Sequence, residues 1–110
     1  MSVDMDRMTG AELRARRHRL GVQGPWMADR LGVRQDTYRR WESGRDPIPV
    51  RVRDEVAAVE DITDQWVETV REWIEDTGQS APWDPLPHAQ PDMVAQPQWW
   101  LQVVLRAIED

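Results

Sequence analysis

Between Val50 and Asp76 apolar residues fall at Val52, Val56, Val59, Ile62, Trp66, Val70 and Trp73, in steps of three or four, with Ile74 beside the last. That period marks one face of an α-helix, so a single long amphipathic helix is predicted, with Asp61 to Thr63 as the place for a break and Gly78 as its stop. Near the start, TGAE (Thr9 to Glu12) has the form of a capping box: the Thr hydroxyl accepts from the amide three residues on, and Glu12 reaches back. Leu13, Arg17 and Leu20 then share a helical face, and Gly21 is placed to end that helix. Pro25 suits the first position of a second helix running through Trp26, Met27, Ala28 and Leu31 to Gly32. A third is expected from Asp36 to Ser43, closing at Gly44, and Pro49 can open the fourth. At the far end Trp100, Val104 and Ile108 form a stripe, widened by Trp99, Val103 and Leu101, which predicts a helix over about 98–109. The intervening residues 78–97 hold five prolines and read as a surface loop, pinned by Trp83.

Three short helices with a tight glycine turn between the second and third describe a helix-turn-helix. The expected class is all-α. The expected organisation is a flexible tail over 1–8, a helix-turn-helix domain over 9–60, and a helical dimerisation region over 61–110 that contains the proline-rich loop. Charge sharpens this division. Residues 1–53 carry 12 Arg against seven acids, a net of +5, and residues 54–110 carry two Arg against 13 acids, a net of -11, within a chain of net charge -6. Four arginines lie in RLGVRQDTYRRWESG alone, residues 30–44. The first half is therefore expected to meet an anion and the second to avoid one.

A chain of 110 residues forms a core of marginal size, which dimerisation would extend. With no Cys, neither a disulfide nor a thiolate metal site is possible, and packing alone has to hold the fold. No apolar run approaches a membrane span or a signal peptide, so a cytoplasmic protein is expected. All 14 basic residues are Arg, and there is no Lys and no Phe. That bias fits a GC-rich coding genome, of an actinobacterium or one of its phages. No enzyme is expected: His18 and His88 are far apart without a metal-ligand spacing, and no Gly-rich phosphate loop or Ser/Lys protease region is present. No cofactor or metal is expected either.

The stretch LGVQGPWMADRLGVRQDTYRRWESGRDPIP resembles the Cro/C1-type (XRE) helix-turn-helix family, whose fold is a lambda-repressor-like helical bundle. Ala28, the Gly32 turn, Thr37 and Trp41-Glu42-x-Gly44 at fixed spacing carry the resemblance, which covers residues 9 to about 58. It implies base-edge contacts at Gln35, Asp36 and Arg40, and DNA backbone contacts at Arg34, Thr37, Arg39, Gln23 and Arg45. Chemically, Arg40 suits guanine O6/N7, Gln35 adenine, and Asp36 cytosine N4. Asp36 has an equal alternative, as a first-turn acid that favours the helix dipole without touching DNA. The resemblance further implies an ion pair, Arg17 with Glu42, that orients the third helix. Two positions depart from the family pattern. Gly24-Pro25 stands where the family has a phosphate-contacting Gln, and Arg34 replaces the small Ser or Thr cap.

The overall layout is similar to short repressors of the anti-CRISPR-associated (Aca) type, which implies a dimerising C-terminal region and repression of the protein's own operon. Adjacent helical residues point about 100° apart, so Trp99 and Trp100 are not expected to share one small core. The expected dimer interface is Trp66, Trp73, Trp99, Trp100 and Val104, with burial in the chain's own core as an equal alternative for each of the four tryptophans. Two reading helices about 34 Å apart would match an inverted repeat in double-stranded DNA. Two other readings compete: an antitoxin whose acidic half binds a protein toxin, and a phage regulator acting through a protein partner.

Overall fold

The Thr9 hydroxyl accepts from the Glu12 amide at 3.0 Å, and helix α1 (Gly10–Leu20) begins there as its cap predicts. The Glu12 carboxylate does not reach back; it turns to Arg16 and Arg53, which lie on α1 and on the fourth helix. The computed structural model describes residues 7–82, 84–86 and 91–109. The first six residues of the expected tail, Trp83 and His88 lie outside the described residues. Met8, at the end of that tail, is buried in the core.

Five more helices follow: α2 (Gly24–Arg30), α3 (Gln35–Glu42), α4 (Arg51–Thr77), α5 (Pro91–Val94) and α6 (Pro97–Glu109). No strand occurs among the described residues, and the class is all-α. Pro25 sits in the first turn of α2, where its missing N–H removes no helical bond. Left-handed Gly21 and Gly78 end α1 and α4.

The break expected in α4 near Asp61 to Thr63 is absent. The helix runs 27 residues unbroken, about 40 Å, so the boundary expected between residues 60 and 61 falls inside it. No Pro or Gly interrupts that stretch, and the Thr63 hydroxyl closes back onto the Val59 carbonyl at 2.9 Å. The buried ridge of α4 is Val52, Val56, Val59, Thr63, Val67 and Val70. Beyond Val59 it therefore passes one residue to the side of the expected Ile62 and Trp66, which are half-buried at its margin.

Helix α6 lies along that ridge and supplies the answering face through Trp99, Trp100, Val103 and Ala107. Trp99 and Trp100 are 0% and 3% exposed, which corrects the expectation that one of them meets a second subunit. Both fit because they reach different walls. The Trp99 indole N–H donates to the buried Thr63 hydroxyl at 3.0 Å, while that of Trp100 points to the Pro82 carbonyl at 3.4 Å. The expected stripe of Trp100, Val104 and Ile108 is accordingly rotated: Val104 is half-buried, and Ile108 is 57% exposed.

The C-terminal segment also seats on the first two helices, through the short helix α5 and the residues just after it. A Cβ on Gly21 would fall 2.4 Å from the Gln98 carbonyl oxygen, so only glycine lets the two backbones approach. Gln96 accepts from the Gln23 amide at 2.8 Å, and the Asp92 carbonyl accepts from the Trp26 indole at 3.1 Å. Asp92 also pairs with Arg30, whose guanidinium lies over the Trp26 ring. The helix-turn-helix and the C-terminal helices thus form one packed body.

Candidate nucleic-acid interface

Helix α3 is positioned from its inner side. Leu31, Tyr38 and Trp41 are buried, Val33 packs against the core, and the Tyr38 and Trp41 rings meet edge-on at 6.3 Å. Gly32, at φ 72°, makes the left-handed turn that brings α3 across α2. The small Ala28 is buried where those helices meet. An eight-residue helix is about 12 Å long, a rod short enough to enter a major groove about 12 Å wide.

The expected pair of Arg17 and Glu42 is present. Arg17 donates from Nε and Nη2 to the two carboxylate oxygens at 2.7 and 3.1 Å, and its Nη1 reaches the Val22 carbonyl at 3.1 Å. This bidentate fork ties α1 to the end of α3, and the Val22 contact adds the turn between α1 and α2. Burial pushes the Glu42 carboxyl up, but the Arg17 hydrogen bonds outweigh it and hold the carboxyl below its ordinary value. The Tyr38 hydroxyl is buried beside this pair without a well-formed hydrogen bond among the described residues. Burial, with the Glu42 charge added, pushes that phenol up.

The outer side of α3 is where the sequence expected DNA contacts. Arg34, Gln35, Asp36 and Arg39 are exposed, and Thr37 and Arg40 are half-buried. Asp36, Arg39, Arg40, Ser43 and Arg45 line one shallow depression. Gln35 lies on the other flank, in a cleft shared with Gly24, Pro25 and Arg39. The structure therefore brings Arg39, Arg40 and Arg45 to one surface with Asp36, and sets Gln35 toward the start of α2. Gln23 is exposed there, with its backbone amide already taken by Gln96.

Three of these residues, Asp36, Arg39 and Arg40, are engaged within the protein. Asp36 accepts from Arg39 one turn on, and this hydrogen bond holds its carboxyl below the ordinary carboxylate value. Arg40 donates from Nε to Asp46 at 2.8 Å. Arg34 and Arg45 make no side-chain hydrogen bond among the described residues, so both guanidiniums stand ready for an anion. Asp46 was not foreseen from the sequence; its only local signal is an acid just before Pro47 in the connector.

Of the residues expected at a dimer interface, Trp99 and Trp100 are buried within one chain and are not available to a partner. Trp66 and Val104 are half-buried against the core, and Trp73 is half-buried. The sequence reading missed the apolar surface that does face outward: Leu101, Leu105 and Ile108 are 46, 45 and 57% exposed at i, i+4 and i+7 on α6. The amphipathic signal was present there, but α6 has apolar residues on nearly every side.

Among the described residues, no cluster of His, Asp or Glu could hold a metal ion, and no helix is long and apolar enough to cross a membrane. Residues 9–64, half of the chain, match the family model of a helix-turn-helix domain. No curated protein and no solved structure matches the chain.

Proposed function

The chain belongs to this helix-turn-helix domain family, and on that premise we propose that it is a sequence-specific DNA-binding transcriptional regulator. It is a homodimeric repressor of its own operon, of the Cro/C1 type, that reads an inverted repeat with α3 in the major groove. One observation carries this reading: α3 is clamped by buried residues on one side and presents Gln35, Arg39 and Arg40 outward, with Arg34 and Arg45 at its two ends. Arg40 and Gln35 would read base edges, while Arg34, Thr37, Arg39 and Arg45 would neutralise phosphates. Asp36 would serve by restraining Arg39 and favouring the helix dipole.

Charge selects the dimer surface. The outer face of α4 exposes Asp54, Asp61, Asp64, Glu68, Glu72, Glu75 and Asp76, where two copies would repel each other. The outer face of α6, with Gln98, Leu101, Gln102 and Leu105, carries no charge over two turns and can meet its own copy. Leu105 would lie at the centre of that contact, in place of the buried Trp99 and Trp100. The antitoxin reading needs a C-terminal segment that folds on its target, and the packing of α6 onto α4 within the chain supports the regulator instead.

The test is fluorescence anisotropy on the duplex upstream of the gene and on a scrambled duplex, over a salt series. The expected result is salt-dependent binding that prefers the native duplex with two subunits per site. Equal, weak binding to both duplexes overturns the reading. Sedimentation of Leu105→Arg, expected to be monomeric, checks the dimer surface separately.

A further inference from the structure

The Arg40 guanidinium is held at one edge only. Its Nε donates to Asp46, while Nη1 and Nη2 make no hydrogen bond among the described residues. From this geometry we propose that Asp46 is the positioning residue for Arg40, and that it sets the base specificity of α3 without touching DNA. The proposal rests on the reading of Arg40 as a base-contacting residue and adds what aims it.

Asp46 is itself firmly placed. Its backbone amide donates to the Arg40 carbonyl at 3.2 Å, and the Arg45 amide donates to the same carbonyl at 3.0 Å. The chain end of α3 therefore folds back over Arg40, through the left-handed Gly44. Pro47 follows at once and restricts the Asp46 backbone, and Ile48, 3% exposed, anchors the connector in the core. The carboxylate is thus delivered from a fixed backbone to a fixed atom.

The consequence for recognition is geometric. A free arginine samples many rotamers, and ordering it opposes binding. With Nε occupied, the remaining edge of the planar fork presents two parallel donors, the arrangement that matches guanine O6 and N7. The two side chains are 42% and 46% exposed, so the pair is accessible to a base edge and not sealed in the core. A carboxylate on this surface weakens attraction to phosphates, so its benefit lies in orientation and not in affinity. That sign separates the proposal from an ordinary stabilising ion pair.

The experiment uses the full chain and a duplex chosen by wild-type protein from a randomised pool. Dissociation constants are measured for that duplex and all its single-base variants, with wild type, Arg40→Ala, Asp46→Ala, Asp46→Asn and the double Ala variant. Arg40→Ala is expected to lose about 5- to 150-fold discrimination at one base pair. Asp46→Ala should lose about two- to fivefold at that same base pair, keep its preferences elsewhere, and bind a scrambled duplex no more weakly than wild type. Asp46→Asn, which keeps the side-chain shape and an acceptor for Nε, should recover part of the loss and serves as the reporter if the Ala variant unfolds. The double variant should discriminate no worse than Arg40→Ala alone. An Asp46 variant that leaves discrimination intact where Arg40→Ala abolishes it, or that weakens binding evenly across sequences, overturns the proposal. If Arg40→Ala itself preserves every base preference, the reading of α3 fails, and the role of Asp46 fails with it.

Discussion

Replacing Gly21 with alanine tests whether the C-terminal helices are seated on the helix-turn-helix domain. Two separate penalties apply at this residue. Its φ is 77°, and a left-handed conformation disfavours a residue with a Cβ by about 1–2 kcal/mol. The added Cβ would also fall 2.4 Å from the Gln98 carbonyl oxygen and 2.7 Å from the Trp99 amide nitrogen, both backbone atoms that move only with α6. Forcing such an overpacked contact adds about 1–3 kcal/mol. Gly32 is the matched control: its φ is 72°, yet a Cβ there meets nothing within 4 Å. For a domain of this size 1 kcal/mol corresponds to about 4 °C in Tm. Gly32→Ala should thus lower Tm by about 4–8 °C and Gly21→Ala by about 8–20 °C. Thermal unfolding followed by far-UV circular dichroism, with tryptophan fluorescence reporting on Trp99, gives both values. Equal losses in the two variants would refute the seating of α6 on the end of α1, because the dihedral penalty alone would then account for Gly21.

Three further outcomes follow from the packing and the charges. Thr63→Val strips the acceptor from the buried Trp99 indole and should destabilise the protein by about 1–3 kcal/mol; Thr63→Ser keeps the acceptor and should lose about 0.8 kcal/mol for the missing methyl, both measured by urea unfolding. Burial pushes the Glu42 and Glu60 carboxyls up, but their arginine partners hold both below the ordinary value of 4.5. The stability they contribute is complete above that value and is lost as pH falls through their lowered folded values. Tm should therefore be level from neutral pH to above 4.5 and fall below it, and Glu60→Gln should flatten that fall. Arg34→Ala should weaken binding alike on native and scrambled duplexes and reduce the salt slope by about 1, read from anisotropy titrations.

The fold was most legible where the signals are local. The Thr9 cap, Pro25, and the glycines at positions 21, 44 and 78 marked helix ends because each acts through backbone dihedrals or a nearby amide. The outward face of α3 was legible as well, since Arg34, Gln35, Asp36 and Arg39 stand exposed once Tyr38 and Trp41 turn inward. Direction was harder in the second half. Helix α6 has apolar residues on nearly all sides, so periodicity could not choose between the Trp100, Val104 and Ile108 stripe and the observed face of Trp99, Val103 and Ala107. Thr63 was marked only as one end of the expected break in α4, and only Trp99 arriving from 36 residues away makes its burial favourable.

By itself, then, the sequence determined the helical segments, the helix-turn-helix at their centre, and the split between an arginine-rich surface and an acidic one. Dihedral preferences and charge belong to residues singly or to near neighbours, so a linear string contains them. The tertiary structure alone decided that both terminal tryptophans are core, that Leu101, Leu105 and Ile108 face outward, and that Asp46 closes on Arg40. Each of those depends on which distant surface a side chain meets, and burial is settled by the partner as much as by the residue.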